Sequence, residues 1–452
     1  MPERASDNSG QSSQSSQSSA DRPMKFSAAL QLSNRQVTIQ AVGRLLSQVS
    51  YGLINFYIPI LFVNQMGFSA TSVGFAISLC AVTEVAGHFV GGSLADSPRF
   101  GRRAVLSLAA VLGVAVSVIL VLANSLWMLI LASFVLGVSL GFYWTASGAA
   151  VMDATEPEDR SRAFAVMGVA EYVGLGIGIL GGSVLLRAVA ANPELIFVGC
   201  GLMFLVFLVL VQGGMTRDYP LRSETESASG GILSALKDKA LLVFMAANSF
   251  FTTYVALVTS TIPLYFTNVM AGSDPIPGVS VGSTASLFTW CYIGVGAVLQ
   301  IPTTSLLTPL RRIWVLTGAI ALWGIGFALL WAAGSFAQAQ FIWAIVALCL
   351  LSLASVAYKP FFVATVSDLA PPSLRGTYVA VSSQCWTIGY FIGPLLGGWA
   401  MDQSALVARR FWLGVGFSAV ACIALLWVFE SIRAKTPAVA EMPDVKLSAD
   451  TP

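Results

Sequence analysis

The chain has 452 residues, 56% of them hydrophobic and only 10% charged, with a formal net charge of +2. A soluble domain carries about 25% charge, so no soluble fold of this length hides so much apolar side chain, and the near-neutral balance offers no basic face to a nucleic acid. The composition describes an all-α polytopic protein of the lipid bilayer, expected to act as a monomer.

Residues 1–35 are polar and repetitive, with Gln-Ser-Ser three times over from Gln11, Gln14 and Gln17. Such a stretch cannot bury enough surface to fold, and it lacks the apolar core of a signal peptide. It reads as a disordered cytoplasmic tail. Apolar runs of spanning length follow near 37–63, 71–95, 104–123, 126–152, 163–187 and 195–213. Six more lie near 241–270, 283–307, 313–334, 340–366, 377–401 and 410–430. The reading is a six-helix bundle over 36–213, a charged cytoplasmic linker over 214–239, a second bundle over 240–431 and a cytoplasmic tail over 432–452.

Twelve spans bring both termini to one side. Of the 24 Lys and Arg, 19 fall on that side, 3 on the other, and Arg44 and Lys359 within spans. The asymmetry assigns both termini to the cytoplasm. The two halves also repeat. Ile58-Pro59-Ile60 through Asn64 in helix 1 returns as Ile262-Pro263-Leu264 through Asn268 in helix 7. Tyr143, Asp153, Pro157, Arg160, Gly174, Gly178 and Gly182 align without a gap with Tyr358, Asp368, Pro372, Arg375, Gly389, Gly393 and Gly397. Two alignments, each displaced by about half the chain, point to duplication.

Helix 1 carries Gln40, Arg44, Gln48, Tyr51 and Asn55, spaced so that all five share one face. An arginine facing lipid at mid-bilayer is costly, so the stripe faces either a water-filled cavity or a polar seam between helices. At matching positions helix 7 offers Asn248, Thr252 and Thr259. On helix 2, Glu84 and His88 stand four apart, and Glu84 lies about 18 Å from Asp96 along the helix axis. A carboxyl at that depth is either a proton carrier or a structural hydrogen-bond partner. Glu171 in helix 5 sits about as deep as Arg44, so the two are expected to pair, structurally or as a switch.

Lys359, beside Pro360 in helix 10, lies about 13 Å inside the span and could bind an anionic group or pair with a carboxylate. Tyr143 and Trp144 in helix 4, with Trp290, Trp386 and Tyr390, could wall an apolar pocket or simply pack. The 6 Cys fall in apolar runs without metal spacing, and the single His argues against a His-based metal site. No phosphate-binding loop and no nucleophile motif appears, so neither an enzyme nor an ATP-driven pump is indicated, and no cofactor is expected.

The turn between helices 2 and 3 reads Gly92-Ser-Leu-Ala-Asp96-Ser-Pro-Arg99-Phe-Gly101-Arg102-Arg103. It resembles the loop of the major facilitator superfamily, roughly G-x-x-x-D-R-x-G-R-R, with Ser97-Pro98 as a two-residue insertion. Gly389 through Gly398 in helix 11 is similar to that family's G-x-x-x-G-P-x-x-G-G, which its antiporters carry in helix 5; here helix 5 is glycine-rich but lacks the proline. Ser133 stands where the drug–proton antiporters have an arginine in helix 4.

The resemblance implies two parallel six-helix repeats with a site near mid-membrane between them. It implies a secondary transporter working by alternating access, closest to the multidrug branch, with a small-molecule substrate and protons as the coupling ion. On that reading Arg44, Gln48, Tyr51, Asn55, Tyr143, Trp144, Asn248, Thr252, Lys359 and Trp386 line the substrate cavity, and Glu84 and Glu171 couple it to protons. Asp96, Arg102, Arg103, Asp153, Arg160, Asp368 and Arg375 form the cytoplasmic gate. The second half lacks an acid matching Asp96, so a lopsided gate is expected. Two other readings stay open: uptake or export of a specific metabolite, anionic or not, and a transporter-like receptor or lipid-handling protein that does not cycle.

Overall fold

The computed structural model describes residues 35–156, 159–189, 192–215, 234–270, 281–336, 338–371 and 374–435, without the side chains of Ser161, Val281, Arg375 and Gly376. The N-terminal tail up to residue 34, the linker over 216–233 and the C-terminal tail from 436 lie outside the described residues.

The first half comprises α1 (Arg35–Asn64), α2 (Ala70–Asp96), α3 (Gly101–Leu122), α4 (Leu126–Asp153), α5 (Arg160–Ala188) and α6 (Ile196–Gly214). In the second, α7 (Lys239–Ser260) is prolonged by Ile262–Tyr265 and a π-helical turn over Phe266–Met270. Next, α8 joins Val281–Phe288, a π-helical turn over Thr289–Gly294, and Val295–Leu307. The chain continues as α9 (Arg312–Ser335), α10 (Gln340–Leu369), α11 (Arg375–Met401) and α12 (Ala405–Lys435). Among the described residues, 12 helices are long and apolar enough to cross a membrane. Their backbone polar groups bond within each helix, as a hydrocarbon environment requires. The π-helical turns were not legible in the apolar pattern, because one extra residue per turn leaves composition unchanged.

The halves pack alike. In the first, α1 meets α5 and α6, α4 meets α2 and α3, and α3 meets α6; in the second, α7 meets α11 and α12, α10 meets α8 and α9, and α9 meets α12. The repeated glycines explain the first of these pairings. A Cβ at Gly178 of α5 would collide with the Val49 carbonyl of α1, and one at Gly397 of α11 with the Thr261 hydroxyl at the end of α7. Small residues thus let the same two helices of each half approach closely, which drives helix association where lipid offers no hydrophobic gain.

Between the halves, α2 runs against α11, α5 against α8, and α1 against α7. The end where α1 begins at Arg35 and α12 stops at Lys435 is the termini end, and the opposite one the far end. Polar contacts tie the halves at the far end. Asn64 and Asn268, equivalent in the repeat, exchange side-chain amide hydrogen bonds of 3.0 and 2.7 Å. Nearby, Phe56 of α1 meets Phe288 of α8 with ring centroids 5.8 Å apart.

Candidate functional site

Midway along the interface lies a narrow cavity lined by Tyr51, Asn55, Glu84, Ser133, Tyr390 and apolar side chains including Ile54, Ile77 and Leu136; with the open space at its mouth it spans about 420 Å³. Both halves contribute, since Tyr390 belongs to α11. Asn55, Glu84 and Tyr390 all lie within electrostatic reach of the Tyr51 hydroxyl. The Glu84 carboxylate is 3.4 Å from His88 Nε2, one helical turn away, and both side chains are partly exposed. Ser133, at the position of the antiporters' arginine, opens onto this cavity, so the wall beside Glu84 carries no cation from α4. A second narrow cavity, inside the first half, shares Tyr51 and Leu136 with it and is lined by Gln48 and Tyr143. The Gln48 side-chain carbonyl and the Tyr143 hydroxyl are buried there without a protein hydrogen-bond partner.

Deeper toward the termini end, Arg44 and Glu171 meet at 3.5 Å, with the arginine side chain only 6% exposed and the glutamate 30%. Arg44 also reaches the Ser147 hydroxyl at 3.4 Å and lies 4.2 Å over the Trp144 ring and 5.3 Å from that of Tyr143. A guanidinium on an aromatic face keeps its charge stabilised where water is scarce. From the opposite half, Lys359 stands 5.4 Å over the Trp386 ring, with Tyr172, Glu171, Tyr292 and Tyr390 in electrostatic reach. Glu171 therefore lies between a cation of its own half and one of the other.

Other expected wall residues are placed elsewhere. Thr252 is fully buried and donates its hydroxyl to the Cys385 carbonyl at 2.6 Å, in the seam between α7 and α11, with Asn248 buried one turn away. Trp290 is 68% exposed and lines neither of these two cavities. Sequence reasoning missed Tyr172 and Tyr292, because a tyrosine in an apolar run carries no periodic signal that separates cavity from packing.

At the termini end, Arg102 ties the first half together. It forms an ion pair with Asp153 at 2.6 Å, meets Asp96 at 3.0 Å, and donates to the Ala95 carbonyl at 2.7 Å. Ser97-Pro98 does not displace these groups: Gly101 adopts a left-handed φ of 71°, its N–H bonds back to the Ser97 carbonyl, and the turn delivers Arg102 to both acids. Arg103 binds Gln212 of α6 instead, through both its backbone and side-chain oxygens. Asp153 thus pairs with Arg102 rather than with Arg160, whose Nε is buried without a hydrogen-bond partner.

The second half carries a related pair, without an acid that matches Asp96. Arg312, at the start of α9, pairs with Asp368 at the end of α10 and donates to the Ala364 carbonyl at 3.0 Å. This repeats the Arg102–Asp153 arrangement, and Asp368 turns to Arg312; the Arg375 side chain lies outside the described residues. The correspondence escaped the motif comparison because it joins residues distant in sequence. Among the described residues no cluster of His, Cys, Asp and Glu could hold a metal ion.

Two six-helix repeats around a mid-depth cavity define a multi-pass integral membrane transporter. The family model of the Major Facilitator Superfamily matches residues 41–290 and 276–449, and the chain belongs to that family, whose members are transporters and not enzymes. It is 24% identical over 436 residues to a Na(+), Li(+), K(+)/H(+) antiporter of Planococcus maritimus, covering 90% of this chain and 98% of the relative. It is 25% identical over 392 residues to the multidrug resistance protein MdtH of Salmonella newport (strain SL254), covering 83% and 90%. The nucleoside transporter NupG superposes with a TM-score of 0.74 at 12% identity over 86% of this chain and 99% of that one. A proton-dependent oligopeptide transporter gives 0.71 at 15% identity over 89% and 99%. At such identities these structures establish the shared fold alone.

Proposed function

We propose that this protein exports small amphipathic compounds in exchange for protons, by alternating access, with both termini in the cytoplasm. The observation that carries the reading is Glu84, a partly exposed carboxyl and the one acid on a cavity wall lined by both halves. A proton bound there removes a charge from the cavity wall. Because protonation changes the same wall that meets a substrate, proton and substrate act on one site, and exchange follows if the two occupancies exclude each other. The relatives' names, an antiporter and a multidrug resistance protein, support the same reading. The orientation rests on the charge asymmetry of the loops.

The test is purified protein in liposomes with an imposed pH gradient, screened against a panel of amphipathic dyes. Gradient-dependent dye movement with counterflow of protons supports exchange; dye movement indifferent to the gradient rejects it.

A second reading is favoured by one specific arrangement. Arg44 and Lys359 approach Glu171 from opposite halves, leaving one more cation than carboxylate at that level. A substrate bearing an acidic group would supply the missing charge. The same liposomes, loaded with small organic anions, distinguish the two.

A further inference from the structure

Asp402 lies just beyond α11, exposed at the far end, and no transport motif includes it. Its carboxylate crosses to the other half of the molecule. It accepts the N–H of Ala70 at 2.7 Å, the N–H of Thr71 at 2.8 Å and the hydroxyl of Thr71 at 2.5 Å. Ala70 and Thr71 are the first two residues of α2, whose own N-cap, Ser69, satisfies the N–H of Ser72. The unpaired amides at the start of a helix, with its positive dipole end, suit a carboxylate. Here that carboxylate belongs to the other bundle.

The antiparallel pair α2 and α11 is reciprocal in sequence. α2 ends on Asp96 at the end where α11 begins, and α11 is followed by Asp402 at the end where α2 begins. In this structure the far-end contact is made, while Asp96 is 73% exposed and held by Arg102 of its own half. Beside Asp402, the Gly398 backbone packs on Ala70 and Thr71, and Gly74 on Pro394, so no side chain holds the helices apart. The Asn64–Asn268 pair adds two bonds across the same closure.

We infer that Asp402 is a positioning residue of the transport cycle: it latches the far end shut by capping α2 from the opposite half, and it must let go when that end opens. The capped amides and the carboxylate then return to water, so the contact biases one state over the other. It touches no substrate and acts through the balance of states.

The experiment uses the full chain in lipid nanodiscs, where both faces meet reagent, with the six native cysteines replaced. One reporter cysteine stands at Ser260, in the far-end seam beside Gly74 and Gly398. Another stands at Gln300 of α8, beside Gly168 of α5. Asp402→Asn keeps the shape but removes the charge and one acceptor. Maleimide labelling at Ser260 is expected to rise about 5- to 150-fold, the range of a coupling contact of this kind, while labelling at Gln300 falls. Thr71→Val, which removes one bond of three, gives a smaller rise, and Asp402→Glu restores the original rates. Unchanged labelling at Ser260 in Asp402→Asn overturns the proposal. So does a rise at both reporters together, which means general loosening. The assay needs neither substrate nor proton gradient, so its outcome is independent of the export reading.

Discussion

Arg44 of α1 and Glu171 of α5 approach to 3.5 Å across a closely packed helix pair of the first half, with the arginine nearly enclosed and the glutamate partly exposed. The pair joins two helices already locked by glycine contacts, so the enclosed Arg44 cannot retreat to water without moving backbone. Removing one partner strands the other. Arg44→Gln and Glu171→Gln are each expected to lower stability by about 1–3 kcal/mol, less than a fully buried pair because Glu171 is partly exposed. The double variant should lose less than the sum. Thermal unfolding in detergent measures all three, and strict additivity would mean that the two groups do not interact.

Glu84 is expected to carry coupling without contributing much to folding. Glu84→Gln keeps the size and the contact with His88 but cannot exchange a proton. Gradient-driven transport should be lost while substrate binding, followed by fluorescence quenching of bound dye, changes less than threefold, that is by under about 0.7 kcal/mol. Full gradient sensitivity in this variant would shift the role to Glu171.

Lys359 separates the two substrate readings. If an acidic substrate group binds between Lys359 and Arg44, Lys359→Gln should weaken anion binding about tenfold or more and leave cationic dyes unaffected, since losing a charge-assisted contact costs roughly 1.5–3 kcal/mol. Equal loss for both classes would make Lys359 a packing group held by Trp386.

Of the two acids on Arg102, Asp153 should matter more. It is the closer, at 2.6 Å and 21% exposed, against 3.0 Å and 73% for Asp96. An exposed pair contributes about 0–1 kcal/mol and a shielded, charge-assisted one about 1–3. Asp153→Asn is therefore expected to lower the unfolding temperature more than Asp96→Asn, and Arg102→Lys to lower it as well, because an ammonium lacks the planar guanidinium that meets both acids and the Ala95 carbonyl at once. A larger effect from Asp96→Asn would assign that acid a partner outside the first half.

Two glycines on one helix make a packing test. A Cβ at Gly178 meets the Val49 backbone, whereas one at Gly181 meets nothing within 4 Å. Gly178→Ala should sharply reduce folded protein, by the 1–3 kcal/mol or so typical of overpacking, and Gly181→Ala should be neutral or slightly stabilising. Size-exclusion profiles of the two variants suffice to tell.

The sequence alone determined the class, the twelve spans and the duplication. Each rests on a property summed over many residues: hydropathy over a span, the glycine register at Gly174, Gly178 and Gly182, or the loop motif around Asp96. The expectation of an Arg44–Glu171 pair also came from the sequence, because equal depth on neighbouring helices leaves two costly charges one economical arrangement. What needed tertiary structure was every contact between residues far apart in the chain whose own neighbourhoods look ordinary. Thr252 shares a face with its helix-7 neighbours but spends its hydroxyl on α11; Arg312 matches Arg102 only once folded; Asp402 reads as a loop acid until α2 is seen to begin beneath it. A helical repeat fixes which residues share a face and how deep they lie. Which helix that face meets is decided by how the bundles pack, and that is set by long-range contacts no local pattern encodes.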